Sequence, residues 1–222
     1  MNKIQRLASV VALAVLTVSL AACGDQPPIQ GQESEAPAPA AAPPSGDSGV
    51  TTAKDVFGPA CAQLPQGGQP GSPDRIANTP VGGAVAANPL LTQLTVAAKK
   101  ANVVDTLNKG KEITVFAPYD SAFESLKQSM GQDGYGALVA DQNKLGDLLK
   151  YHVVARRYDR AGLVAAHTVT TLQGGSLQIK DAGDTVTITD NAGTTAHVLC
   201  GNIPTGNATV FVIDHVLQPV KP

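Results

Sequence analysis

The chain has 222 residues, 16 basic and 18 acidic side chains for a formal charge of −2, and only 15% charged residues. That composition lacks the clustered Lys and Arg of a nucleic-acid surface and excludes nucleic acid as a partner. Its 43% apolar content fits a buried core, and its three Cys are an odd count, so one must be free, paired with another chain or chemically modified.

The N-terminus reads as an address. Lys3 and Arg6 form a short cationic region, and Leu7 to Leu20 is an uncharged, Ala/Val/Leu-rich stretch of 14 residues. A permanent membrane-spanning helix needs about 20 apolar residues, so residues 1–22 are expected to be a signal peptide. Leu20-Ala21-Ala22-Cys23 resembles the bacterial lipobox, in which small residues admit a signal peptidase and the Cys thiol accepts a diacylglycerol. Cys23 is therefore the expected lipid anchor. Each buried CH₂ adds about 0.8 kcal/mol of membrane affinity, so two or three acyl chains hold a protein firmly. Losing Lys3 and Arg6 leaves 14 basic against 18 acidic groups, a mildly acidic mature chain that argues against polyanionic partners.

Residues 23–55 read as the lipidated Cys and a Pro/Ala-rich linker. Pro27, Pro28, Pro37, Pro39, Pro43 and Pro44 fall here, with almost no large apolar side chains. Such a segment buries too little surface to offset its ordering entropy and is expected to be disordered or polyproline-like. At about 3.1 Å per residue it would reach roughly 90–100 Å when extended, a spacer between membrane and domain. Ser45, Ser48, Thr51 and Thr52 are expected to expose hydroxyls near Pro, and Thr51 and Thr52 are candidate O-glycosylation sites.

Residues 56–222 read as one domain with its own core. Asn88-Pro89 is an N-cap and first-turn pair predicting a helix to about Lys100, with Leu91, Leu94 and Ala98 on one face. Val103, Val104 and Leu107 continue a short helical turn, and Ile113 to Ala117 is an apolar strand. Ser121-Ala122-Phe123-Glu124 has capping-box spacing and predicts a helix toward Met130. Asp141 opens another, with Leu145, Leu148, Leu149 and His152 at helical spacing. Beyond it, Thr/Val/Ile-rich runs alternate with Gly174-Gly175, Asp181-Ala182-Gly183-Asp184 and Asn191-Ala192-Gly193, the pattern of an antiparallel meander. Helices first and strands after them predict an α+β domain.

Four segments carry a family resemblance. Ile113-Thr114-Val115-Phe116-Ala117-Pro118-Tyr119-Asp120-Ser121-Ala122-Phe123 resembles the first signature block of the fasciclin (FAS1) domain, and Thr209 to Pro219 its last strand. Between them, Leu148 to Val154 is similar to the family's Tyr-His segment and Thr171-Leu172-Gln173-Gly174 to the strand that follows. Tyr119 stands where many members carry Thr. With its lipobox, spacer and paired Cys, the whole chain is similar to mycobacterial surface lipoproteins of the secreted immunogenic FAS1 group. The resemblance implies a FAS1-like wedge-shaped β-sandwich with helices packed at its edge, a role in adhesion, no cofactor and no catalysis. It also implies partner contacts near Tyr151 and His152, although the periodicity places His152 on the same face as Leu145 and Leu148, as a core histidine.

Cys61 and Cys200 are the thiols left in the exported domain, and an oxidising compartment favours their pairing. The four His (152, 167, 197 and 215) form no local metal-binding pair, and no G-x-S-x-G, P-loop or G-x-G-x-x-G occurs. Asp214 and His215, read as strand neighbours, are expected on opposite faces. The leading expectation is a lipid-anchored surface module binding a protein, glycan or matrix component. The rival is a small-ligand or lipid carrier, which predicts an enclosed cavity of several hundred Å³ between helices and sheet.

Overall fold

A computed structural model of the chain describes residues 49–219. The signal segment, Cys23, Ser45, Ser48 and residues 24–48 of the linker lie outside the described residues. After a 3-10 turn at Cys61–Gln63 come four short helices, α1 (Pro73–Ile76), α2 (Val81–Ala86), α3 (Thr92–Lys100) and α4 (Val104–Lys109). Strand β1 (Ile113–Pro118) leads into α5 (Asp120–Ala140), α6 (Gln142–Tyr151), β2 (Val153–Val154) and α7 (Arg160–Ala166). The meander follows as β3 (Thr168–Thr170), β4 (Ser176–Asp181), β5 (Val186–Thr189), β6 (Thr195–Pro204) and β7 (Ala208–Ile213).

Two helix starts differ from the sequence expectation. The Asn88 carboxamide accepts the Leu90 N–H at 3.0 Å in a local turn, so α3 opens at Thr92 instead of Pro89. Its first turn is closed from outside: Asp120 accepts the Gln93 N–H at 2.8 Å and the Thr92 hydroxyl at 2.5 Å. Because Asp120 is itself the first residue of α5, Ser121 and Glu124 sit inside that helix and form no capping box. Helix α5 breaks at Gly131, whose φ of 71° interrupts the helical backbone. Helix α6 begins as expected, with the Asp141 carboxylate accepting the N–H groups of Asn143 and Lys144, both at 3.1 Å.

The seven strands form one sheet in the order β2-β1-β7-β6-β5-β4-β3. All pairings are antiparallel except β1 with β7, which run in parallel from Ile113↔Ala208 to Pro118↔Ile213. A bridge between Val154 and Thr171, and an N–H of Leu172 donated to Val153 at 2.7 Å, join the two outer edges and nearly close the sheet. The expected α+β class holds, and the layers of the expected wedge belong to this single curled sheet.

Period-two alternation then builds two cores. On β1 and β7, Val115, Ala117, Val210 and Val212 pack outward against α2–α6 with Leu91, Leu94, Phe123, Leu145 and Leu149. Phe116, Phe211 and Ile213 point the other way, into the curl, and meet Tyr151, Leu163, Leu177, Ile179, Val186, Ile188 and Leu217. Both strands are buried at every position, which is why they read as unbroken apolar runs, whereas β4 and β5 alternate buried with more exposed residues.

The N-terminal approach is part of this frame. The carbonyl of Gly49 accepts the Thr209 hydroxyl at 2.7 Å, Phe57 bridges to Gly201, and Cys61 is disulfide-bonded to Cys200 across a sequence separation of 139. Among the described residues, packing contacts are already present at Gly49, ahead of the composition boundary at Val56. A side chain at Gly49, where φ is 62°, would lie 2.4 Å from the carbonyl oxygen of Arg157. Thr51 is 6% exposed, so the expected exposure of its hydroxyl fails; Thr52 is exposed as expected and donates its hydroxyl to Asp55 at 2.8 Å.

Candidate functional site

The Tyr-His segment lies where α6 hands over to β2, at the junction of the two cores. Tyr151 has no exposed surface and His152 is 2% exposed. The Tyr151 hydroxyl donates to the Ser176 carbonyl at 3.2 Å and accepts the Asn191 N–H at 3.3 Å, tying α6 to the β4 edge and the β5–β6 turn. His152 donates from Nδ1 to the Leu148 carbonyl at 2.8 Å and accepts the Leu217 N–H on Nε2 at 3.0 Å. These partners fix the neutral tautomer, and burial pushes the imidazole pKa down to about 4. The resemblance implied partner contacts near these residues, but neither side chain reaches the surface, so neither can touch a partner in this conformation. Their burial agrees with the helical periodicity, which had put His152 in the core.

Three polar residues in the frame had no sequence signal. Arg157, in a pair with Arg156 that looks like two surface charges, is 6% exposed. It donates from Nε to the Thr209 hydroxyl at 3.1 Å and from one terminal nitrogen to the Thr205 and Ala208 carbonyls, both at 2.9 Å. Burial lowers its pKa, and the carboxylate of Glu112, at 3.8 Å, raises it again. Asp190 accepts the N–H groups of Thr194 at 2.8 Å and Gln218 at 2.7 Å, holding the segment after β7. Asn207 accepts the Val81 N–H and donates to the Leu107 and Gly110 carbonyls, so it knits α2 and α4 to the β6–β7 turn.

Asp214 and His215 overturn the strand reading. Strand β7 ends at Ile213, the backbone then bends, and the Asp214 carboxylate contacts His215 Nδ1 at 2.8 Å. The same oxygen accepts the N–H of His197 at 2.7 Å, so the carboxylate joins two strand ends. Among the described residues, no group of three or more His, Cys, Asp and Glu side chains could hold a metal ion. No described helix is long and apolar enough to cross a membrane.

The carrier reading requires a large enclosed space between helices and sheet. The cavity there, lined by Val85, Leu94, Ala98, Val115, Leu149 and His152, measures about 60 Å³. That is room for water-sized occupants and far below the volume of an acyl chain. A larger space of about 610 Å³ is an open groove beside Met130, Leu138 and Leu148.

A nearly closed sheet with one parallel pair, backed by helices and holding its Tyr-His segment as an internal strut, defines an α+β module built on a single curled sheet. The chain belongs to the fasciclin family: the Fasciclin domain is matched over residues 89–219. This is a family of non-catalytic cell-surface proteins. The chain is 36% identical, over 96% of its length and 95% of theirs, to the cell surface glycolipoproteins MPB83 of Mycobacterium bovis and MPT83 of Mycobacterium tuberculosis. It is 38% identical to the immunogenic protein MPB70 of Mycobacterium bovis over 75% of this chain and 84% of that one. Among solved structures, a FAS1 domain pair from the insect cell adhesion molecule fasciclin I aligns with a TM-score of 0.48 and 21% identity, covering 58% of this chain and 45% of that chain.

Proposed function

We propose that the protein is a lipid-anchored surface module whose FAS1 domain binds a protein, glycan or matrix component without catalysing a reaction. In this reading residues 1–22 are a signal peptide, Cys23 carries the acyl chains, the Pro/Ala-rich linker is a spacer, and the domain stands at the outer face of the cytoplasmic membrane or the cell surface. A shed form fits the same architecture. The observation that carries it is the extent of the similarity: relatives named cell surface glycolipoproteins align with 96% of the chain, well beyond the FAS1 domain. The Leu20-Ala21-Ala22-Cys23 lipobox supports it independently. Of the two candidate O-glycosylation sites, the exposed Thr52 fits this reading better than Thr51, whose hydroxyl is covered.

The experiment is intact-mass analysis of the membrane-extracted protein together with the Cys23→Ala variant. A diacylglycerol and acyl mass on Cys23, and release of Cys23→Ala from the membrane fraction, support the reading. An unmodified Cys23, or membrane retention unaffected by its loss, overturns the anchor. A binding screen of the mature chain against matrix proteins, glycans and lipids tests the partner class. A lipid co-purifying where no macromolecule binds would replace the adhesion reading with the carrier.

A further inference from the structure

The end of the domain at which the described chain begins has a chemistry of its own. Strands β1 and β7 both start there, at Ile113 and Ala208, and β6 ends there at Pro204. Gly49 is fixed to it through Thr209 and packs on the Arg157 backbone. Its neighbour Val50 is 58% exposed, an apolar side chain held out at the same end. Helix α4 brings Lys109 and then Lys111 to the start of β1, and Asn207 clamps this junction through Leu107 and Gly110. Helix α3 carries Lys99 and Lys100 in its last turn, and Lys99 lines the same small cavity as Val104 and Leu107 of α4. Arg156 completes the set, exposed and laid over the Tyr158 ring with its guanidinium carbon 5.0 Å from the centroid.

Lys99, Lys100, Lys109, Lys111 and Arg156 are all exposed. The opposing charges include Asp105, Glu112 and, on the segment after Gly49, Asp55. Asp55 accepts the Thr52 N–H and hydroxyl and has Lys54 as its exposed neighbour, and Glu112 lies 3.8 Å from the buried Arg157 guanidinium, which offsets it. A basic face with an apolar residue beside it thus surrounds the point at which the linker joins the domain.

We propose that this base, a local basic face on a chain that is mildly acidic as a whole, is a docking face for an anionic lipid surface, so that the domain lies down on the membrane that anchors it and lifts off along its spacer. The identification of the partner rests on the anchored reading of Cys23. Tethering raises the effective concentration of the membrane at the base, so an attraction that is weak and salt-sensitive in the free protein is sufficient in the anchored one. Basic residues gain attraction near an anionic bilayer, and this attraction is lost within a few Debye lengths. Docking also sets orientation: the opposite end, with Asp120, Asp214 and His215, turns away from the lipid.

The test uses residues 23–222 with Cys23→Ser, which keeps every contact described for residues 49–219 and removes the acyl chains from the measurement. The probes are vesicles of pure phosphatidylcholine and vesicles with about 30 mol% phosphatidylglycerol, in about 20 mM and about 300 mM salt. Binding to the anionic vesicles at low salt, about tenfold weaker on the neutral ones and lost at high salt, is the expected result. Lys109→Glu/Lys111→Glu/Arg156→Glu should abolish it, Lys109→Gln/Lys111→Gln should weaken it, and Lys144→Glu/Lys150→Glu should leave it intact, each variant checked for native circular dichroism. Equal binding to both vesicles, no binding to either, indifference to the base variants, or a stronger association with an acidic polysaccharide than with the vesicles would overturn the proposal. Because the acyl chains are absent, an unlipidated Cys23 and a non-binding base are separate outcomes.

Discussion

His152 Nε2 accepts the backbone N–H of Leu217 at 3.0 Å, across 65 residues of sequence. The bond needs an unprotonated nitrogen, while the Leu148 carbonyl holds the proton on Nδ1. Protonating Nε2 would place two N–H groups face to face inside the core.

A pH dependence of stability follows. The imidazole pKa falls from 6.5 in the unfolded chain to about 4 in the folded one. Between these values the unfolded state binds more protons, so stability falls as pH is lowered. The contribution is fully present above pH 6.5, is lost by about pH 4, and is worth about 3 kcal/mol. Urea unfolding at a series of pH values should show this slope in the native sequence. It should be absent in His152→Leu, which is destabilised throughout because the Leu217 N–H loses its acceptor.

Tyr151→Phe keeps the ring in the core and removes both hydroxyl bonds, to the Ser176 carbonyl and from the Asn191 N–H. The expected loss is about 1–2 kcal/mol in urea unfolding. Amide exchange should quicken at Asn191, whose N–H is left without its acceptor, while the α6 amides keep their protection.

Removing the disulfide with Cys61→Ser/Cys200→Ser should cost about 2–5 kcal/mol, read as a lowered Tm. The native protein under reductant should move the same way. An unchanged Tm would mean that the bridge constrains neither the folded nor the unfolded chain.

Arg157→Met replaces a buried cation with an apolar chain that cannot serve the Thr205 and Ala208 carbonyls. A loss of about 2–4 kcal/mol is expected, with early protease cleavage between Gly49 and Phe57 because Thr209 and Arg157 hold that segment.

The parts of this fold visible in sequence are those encoded locally. Asp141 announces α6 because its own carboxylate caps the next turn, and the Gly-containing turns separate β4, β5 and β6 where they were expected. The misplaced start of α3 has a non-local cause: its cap is Asp120, some 28 residues away, while Asn88 spends its side chain on a local turn. Arg157 escaped notice for a similar reason. All three of its hydrogen-bond partners lie about 50 residues downstream, and a pair of arginines looks like solvated charge. The Asp214–His215 contact depends on a strand that ends at Ile213, well short of the end of the Thr209 to Pro219 segment read as strand. The candidate site suffered most, since the residues singled out by resemblance are struts of the core and an outward-facing surface has no local pattern to betray it.

The single parallel pairing in the sheet sets an order on how the molecule can be made. Strand β1 lies between β2, its antiparallel neighbour, and β7, which holds residues 208–213. Until that last strand arrives, β1 has one open edge, its Phe116 lacks the Phe211 ring 6.0 Å away, and His152 lacks the N–H of Leu217. A chain delivered N-terminus first therefore cannot complete this sheet until β7 has emerged. The pairing of β1 with β7 spans about 95 residues of sequence, and contacts of such long separation make for slow folding. A polypeptide built this way is suited to being threaded through a membrane extended and to setting its shape only on the far side.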